Sequence, residues 1–229
     1  MPQTFFMNGD IAIMQITGTI TPKADILSFI FGGSPLDVMT RDFKALVKDD
    51  DVKAIVLEIN SPGGVVHGAQ EFANLVFEAR EVKPIITISS TMMASLAMWI
   101  GAAASDVFIT DDTIVTGSLS AIVNHVDVSG LEKFLGIKTT QIATGKFKTI
   151  SSMFAPLTDE GRADLQGQVD HITGVMVADI AKFRGVDAKT VNSKMAEGRT
   201  FIGSQGIEAG LIDGIISPDE LIKHINANV

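Results

Sequence analysis

Cysteine is absent from the 229 residues, which excludes disulfides, thiolate metal sites and a cysteine nucleophile. Proline is scarce at 7, and charged residues make up 20% against 46% hydrophobic, the reverse of a disordered composition. Positive charge is in deficit: 18 Lys and Arg face 27 Asp and Glu, a formal net charge of −9. With no dense basic cluster, this balance disfavours nonspecific attraction to nucleic acid or to an anionic membrane. Long apolar runs are missing too. The most apolar segment, Met92 to Ala104, is shorter than the ~20 residues of a membrane helix and reads as a core helix. The amino terminus has no basic region followed by an apolar stretch, so it does not read as a signal peptide. No His/Asp/Glu spacing suggests a metal site and no GxxxxGK[ST] loop is present. Without repeats or linkers, the chain reads as one soluble domain, 1–229, with no cofactor.

Ile11 to Thr17 reads as a first strand, followed by an irregular stretch carrying an exposed-looking apolar patch at Ile26 to Phe31. Helices are expected over Leu36–Val47 and Gly68–Arg80. Apolar runs at Lys53–Ile59, Pro84–Ser89 and Val107–Thr110 are expected as buried strands. That alternation predicts βαβ units and an α/β fold around a mainly parallel sheet. Leu165, Val169, Ile172, Met176, Ile180 and Phe183 mark one face of a long helix, which packs in the core or at a subunit interface. A short helix near Ala188–Ala196 and a terminal one over Pro218–Ile225 complete a helical C-terminal portion.

Ser95 stands where a strand runs into the buried helix. A serine there caps a helix or packs as a small core residue; alternatively, a tight turn exposes its hydroxyl and the following amide, that of Leu96, faces a developing oxyanion. Asn60-Ser-Pro-Gly-Gly64 ends another strand, and its glycines let backbone amides approach a ligand, making Gly64, with Gly63, a second oxyanion donor. Lys146 and Lys148 follow at Gly145-Lys-Phe-Lys148. A lysine base must be neutral near pH 7, against an ordinary value of ~10.4, which burial in an apolar pocket favours. The residues themselves do not choose between the two lysines. His67 and His125 are the alternative bases.

In order, these segments resemble the signal-peptide peptidase A family of the ClpP/crotonase superfamily, from about Ile11 to Ile216. Asn60–Gly64 matches its oxyanion turn and Met93-Ala-Ser95 its nucleophile. Thr116-Gly-Ser-Leu119 is similar to its Thr-Gly-Ser element, and Thr144–Lys148 to its Ser-Gly-x-x-Lys segment. Glu197–Gly203 with Ala209–Asp213 resembles its carboxy-terminal signature. The resemblance implies repeated β-β-α units, a Ser95–Lys148 dyad, and Ser118 holding the lysine amine. The family's two glycines after the nucleophile are here Leu96 and Ala97. ClpP's histidine, which would fall near Gly117-Ser118, is missing.

The implied activity is serine endopeptidase chemistry on peptide or protein substrates. A ring-like homo-oligomer with shared active sites is implied as well. The absent anchor and substituted glycine pair look most like the phage head-maturation branch, with capsid or scaffold proteins as partners and a host-cytoplasm or prohead location. The alternatives are a soluble bacterial or archaeal protease of the same family, a noncatalytic assembly partner, and acyl-CoA chemistry on the crotonase scaffold. The last would need carboxylates as acid and base, and none flanks Ser95 on its helix.

Overall fold

The computed structural model describes residues 3–24 and 32–227; the apolar patch at 26–31 lies outside them. Two compact units emerge, one formed by 1–120 with 176–229 and the other by 121–175.

In the first unit, β1 (Phe5–Asn8) and β2 (Ile11–Thr21) form an antiparallel hairpin. Gly9 supplies the positive φ of its two-residue turn. A short β3 (Gly33–Pro35) leads into α1 (Leu36–Lys48). Then come β4 (Ala54–Gly64), α2 (Ala69–Ala79), β5 (Ile85–Ser89), β6 (Met92–Ala94), α3 (Leu96–Gly101), β7 (Asp106–Ile109) and β8 (Val115–Gly117). The second unit holds α4 (Ser129–Leu135), a 3₁₀ turn at Lys146–Thr149 and the first part of α5 (Asp159–Arg184). The first unit resumes within α5. It continues through α6 (Ala188–Thr190), a π turn at Val191–Met195, β9 (Thr200–Ile202), α7 (Ser204–Ala209), β10 (Gly214–Ile215) and α8 (Pro218–Asn226).

Strand β4 organises the sheet. β2 runs parallel along one side of it, and on the other side β4 changes partner part-way. Its first half pairs with β5, followed outward by β7 and β10. Beyond Glu58 the ladder to β5 stops, and Ser61 pairs with Met93 of β6, followed by β8 and β9. The sheet therefore forks, and the fork opens where β4 delivers Asn60 to Gly64. Among the described residues, only β1·β2 and β8·β9 are antiparallel, so the sheet is mixed and largely parallel, as the βαβ rhythm predicts.

Leu57 and Ile59 of β4 are buried, Ile59 beside Gly101 of α3, and between α1 and α2 Phe43 and Phe72 meet edge-to-face at 5.7 Å. The opposite face, with Val56, Ile86 and Ile88, is covered by Leu221 and Ile225 of α8. A capping box at Ser217 and Glu220 starts that helix.

The expected helix over Ala188–Ala196 is instead one short α turn followed by a π turn. Asp187 caps it through the Thr190 amide, but by Thr200 the chain must have entered β9 and its pairing with β8.

Candidate active site

The elements at the fork converge on Ser95. Ser89 to Thr91 must turn sharply between the two branches, and Asn60 makes that turn. Its Oδ1 accepts from the amides of Ser90 (2.9 Å) and Thr91 (3.0 Å) and from both their hydroxyls. Strand β6 then carries the chain for three residues to Ser95.

Ser95 sits half-buried between β6 and α3 with φ 55° and ψ −123°. A side-chain-bearing residue held there carries about 1–3 kcal/mol of strain, so its surroundings must enforce it. Three contacts do so. Its N–H donates to the Gly117 carbonyl at 2.7 Å, and its C=O accepts the Trp99 N–H at 3.0 Å. Gly63 closes the third side, at φ 105°, where an added Cβ would lie 2.8 Å from the Ser95 Cβ and 3.1 Å from the Leu96 nitrogen. Glycine at 63 leaves open the space beside the hydroxyl and the Leu96 amide.

The oxyanion donors expected from the sequence separate on inspection. The Gly63 N–H is engaged, donating to Ser61 Oγ at 3.1 Å, while that hydroxyl donates to the Gly18 carbonyl at 2.6 Å. Gly63 therefore serves as clearance rather than as donor. Gly64 lies against β2, where a Cβ would fall 1.9 Å from the Ile20 carbonyl oxygen. The ladder itself demands glycine here. The Leu96 N–H opens α3, where first-turn amides have no helical partner.

Ser118 is placed beside Ser95 by register. Ala94 of β6 pairs with Gly117 of β8, so the two serines follow paired residues on strands about 4.8 Å apart. Both have φ 55°. The Ser118 N–H donates to the Arg199 carbonyl at 2.6 Å, and a Cβ on Gly117 would meet Phe201 and the Arg199 carbonyl within 2.8 Å. The Glu197–Gly203 signature thus backs the Ser118 strand.

Lys148 belongs to the second unit, on the 3₁₀ turn. It is exposed, a correction to the apolar burial a neutral amine calls for: that unit has almost no interior, with Gly161 its sole buried residue. Lys146 is committed, paired with Glu160 and lying over the Phe147 ring at 4.9 Å. Lys148 Nζ has no such partner among the described residues. Of the alternative bases, His67 is exposed and His125 meets the Ser152 carbonyl at 2.9 Å.

Sequence reasoning did not assign Asn60 a task, although an asparagine at a strand end before Ser-Pro-Gly-Gly was on the page. It also passed over Asp179, a carboxylate buried on α5 and visible in the pattern only as one polar residue beside Ile180. Among the described residues there is no cluster of three metal-ligating side chains and no helix long and apolar enough to cross a membrane.

Comparison with known proteins places the chain in a family. The chain is 28% identical over 227 residues to the head-tail preconnector protein GP5 of Enterobacteria phage P21, covering 97% of this chain and 44% of that one. It is 26% identical to capsid assembly protease C of Escherichia phage lambda, covering 94% and 48%. With a candidate protease of Methanocaldococcus jannaschii it shares 32% identity, covering 80% and 59%. The chain thus spans about half the length of these relatives. The model of peptidase family S49 matches residues 78–229, a stretch that holds Ser95, Ser118 and Lys148, and the chain belongs to that family.

Proposed function

We propose that residues 1–229 form the peptidase domain of a serine endopeptidase that uses Ser95 as nucleophile and Lys148 as general base, on a ClpP/crotonase-like scaffold. The observation that carries this reading is the strained Ser95 backbone at the strand–helix junction, with Gly63 keeping its surroundings clear and the Leu96 N–H beside it. Strain of this kind persists where a hydroxyl must be presented in one orientation.

In this mechanism the Lys148 amine takes the Ser95 proton as Oγ attacks the peptide carbonyl. The Leu96 and Gly64 amides stabilise the oxyanion, and Ser118 orients the amine. The lysine then protonates the leaving nitrogen, and the acyl-enzyme is hydrolysed by a water the amine activates.

The second unit supports assembly with further copies. Ile142, Phe134 and Ile122 are 96%, 85% and 83% exposed, side chains that a neighbouring copy would take out of water. Burial against a neighbouring copy supplies the desolvation that a general-base lysine requires, which accords with a ring-like homo-oligomer sharing its active sites.

For biological setting, we favour a signal-peptide-peptidase-like protease over a capsid-maturation enzyme. The chain is 31% identical over 173 residues to a protein of Enterococcus faecium named for signal peptide peptidase SppA, against 28% and 26% to the phage proteins.

Labelling with a fluorophosphonate probe, read by intact mass, tests the mechanism. One adduct on the wild type, absent from Ser95→Ala and Lys148→Ala, is the expected result. No adduct on folded, assembled wild type would refute it and favour a noncatalytic assembly partner.

A further inference from the structure

Trp99 lies one turn after Ser95 and links it to α5 through two hydrogen bonds. Its backbone N–H makes the first hydrogen bond of α3, onto the Ser95 carbonyl, at 3.0 Å. Its indole is 2% exposed, and Nε1–H donates to Asp179 Oδ2 of α5 at 3.1 Å. All six residues of α3 are buried, so the helix has no solvent-facing side on which to shift freely. Its direction is set by what its buried face meets.

Asp179 stands where α2, α3 and α5 come together. Besides the indole, the polar side chain of Gln70 on α2 acts on it. The charged side chain acting on it is Lys182, one turn further along α5, and that amine is itself drawn aside, donating to Asn74 at 3.0 Å and lying 4.7 Å from the Phe77 ring. Burial pushes the Asp179 carboxyl above its ordinary range, against the lowering influence of Gln70, Trp99 and Lys182. An ion so placed is a poor source of stability. What it does supply is a short, directional acceptor that fixes the ring of the residue whose backbone caps Ser95.

We propose that Asp179 is a positioning residue for the nucleophile: through the Trp99 indole it anchors the first turn of α3, and with it the strained Ser95 backbone and the Leu96 N–H. This rests on Ser95 being the nucleophile. It predicts a defect in the chemical step rather than in probe binding, because neither Asp179 nor the Trp99 ring need touch substrate. Misplacing a reacting group by about 1 Å can cost roughly 100-fold.

The test is fluorophosphonate labelling of the full chain across probe concentrations, separating the maximal rate from the half-saturating concentration. Trp99→Phe and Asp179→Ala are expected to lower the maximal rate roughly 10- to 100-fold with half-saturation little changed. Asp179→Asn, which still offers the indole an acceptor, restores most of the rate. Trp99 is the chain's single tryptophan, so its emission reports the contact directly. It should shift in Asp179→Ala and stay near wild type in Asp179→Asn. Should Asp179→Ala fold poorly by circular dichroism, the milder Trp99→Phe carries the kinetic comparison. Folded variants labelling within about twofold of wild type, or Asp179→Asn as slow as Asp179→Ala, would overturn the proposal while leaving the nucleophile assignment intact. A wild type that labels no faster than Ser95→Ala overturns that assignment and the proposal with it.

Discussion

Among the described residues, three that are not glycine have positive φ: Ser95, Ser118 and Glu197, at 55°, 55° and 64°. They fall at the ends of β6 and β8 and in the turn before β9, three neighbouring strands. Relaxing the third is informative. Glu197→Gly should raise stability by up to about 1 kcal/mol, read from the urea midpoint, since a side chain in this region costs roughly that much. Gly63 works in the opposite sense. Gly63→Ala puts a Cβ 2.8 Å from that of Ser95, and the maximal labelling rate should fall about 100-fold or more. Asp179 adds a pH signature. Its folded-state pKa is raised, with burial the leading cause, so its contribution to stability is full below the unfolded pKa and is lost as pH rises through the folded one. Asp179→Asn should therefore gain on the wild type as pH rises through that window, as measured by thermal midpoints.

At the scale of elements, periodicity made the long pieces readable. Alternating or continuous apolar runs and 3.6-residue spacing located β5, β7, α1, α2, α5 and α8 close to their observed bounds, while β4 runs on through Asn60–Gly64, which the sequence reads as a turn. Strands β6, β8 and β9, of three residues each, were not legible. Too short to show a period, they exist through pairing with partners far along the chain, and they are the strands that place Ser95 beside Ser118. The glycine turn and both serines could be named from sequence, but the donor role of Gly63 depended on where its N–H points. The indole of Trp99 and the carboxylate of Asp179 are 80 residues apart in sequence, beyond any local pattern.

Two clamps at this scale make predictions. Lys83 Nζ donates to the carbonyls of Leu46, Asp49 and Val52 at 2.8–3.0 Å, closing the C-terminal end of α1. Lys83→Met should cost about 1–2 kcal/mol in urea unfolding. Asp42 of α1 accepts from the Thr4 N–H at 3.0 Å and its hydroxyl at 2.8 Å, and pairs with Arg41. Burial pushes its carboxyl upward, but Thr4 and Arg41 outweigh it and hold the pKa below the ordinary value. The stability this brings is present above the unfolded pKa and lost as pH falls through the folded one. Asp42→Asn should accordingly flatten the acid side of the stability profile and leave less difference from wild type at the lowest pH.

For the whole molecule, assembly is the open quantity. If the second unit's apolar residues face another copy, Phe134→Asp should reduce the oligomer to smaller species in sedimentation velocity while the first unit stays folded. Unchanged mass would place the interface elsewhere. The return of the chain to the first unit after residue 175 has a consequence in time. Ser95 and Ser118 are synthesised well before Arg199, whose carbonyl holds the Ser118 N–H, and before β9, which pairs with β8. On the ribosome, the nucleophile emerges ahead of the strand that braces its neighbour. A chain still under synthesis therefore carries the reactive serine without its finished support, and the site matures only once Arg199 and β9 have emerged and folded back.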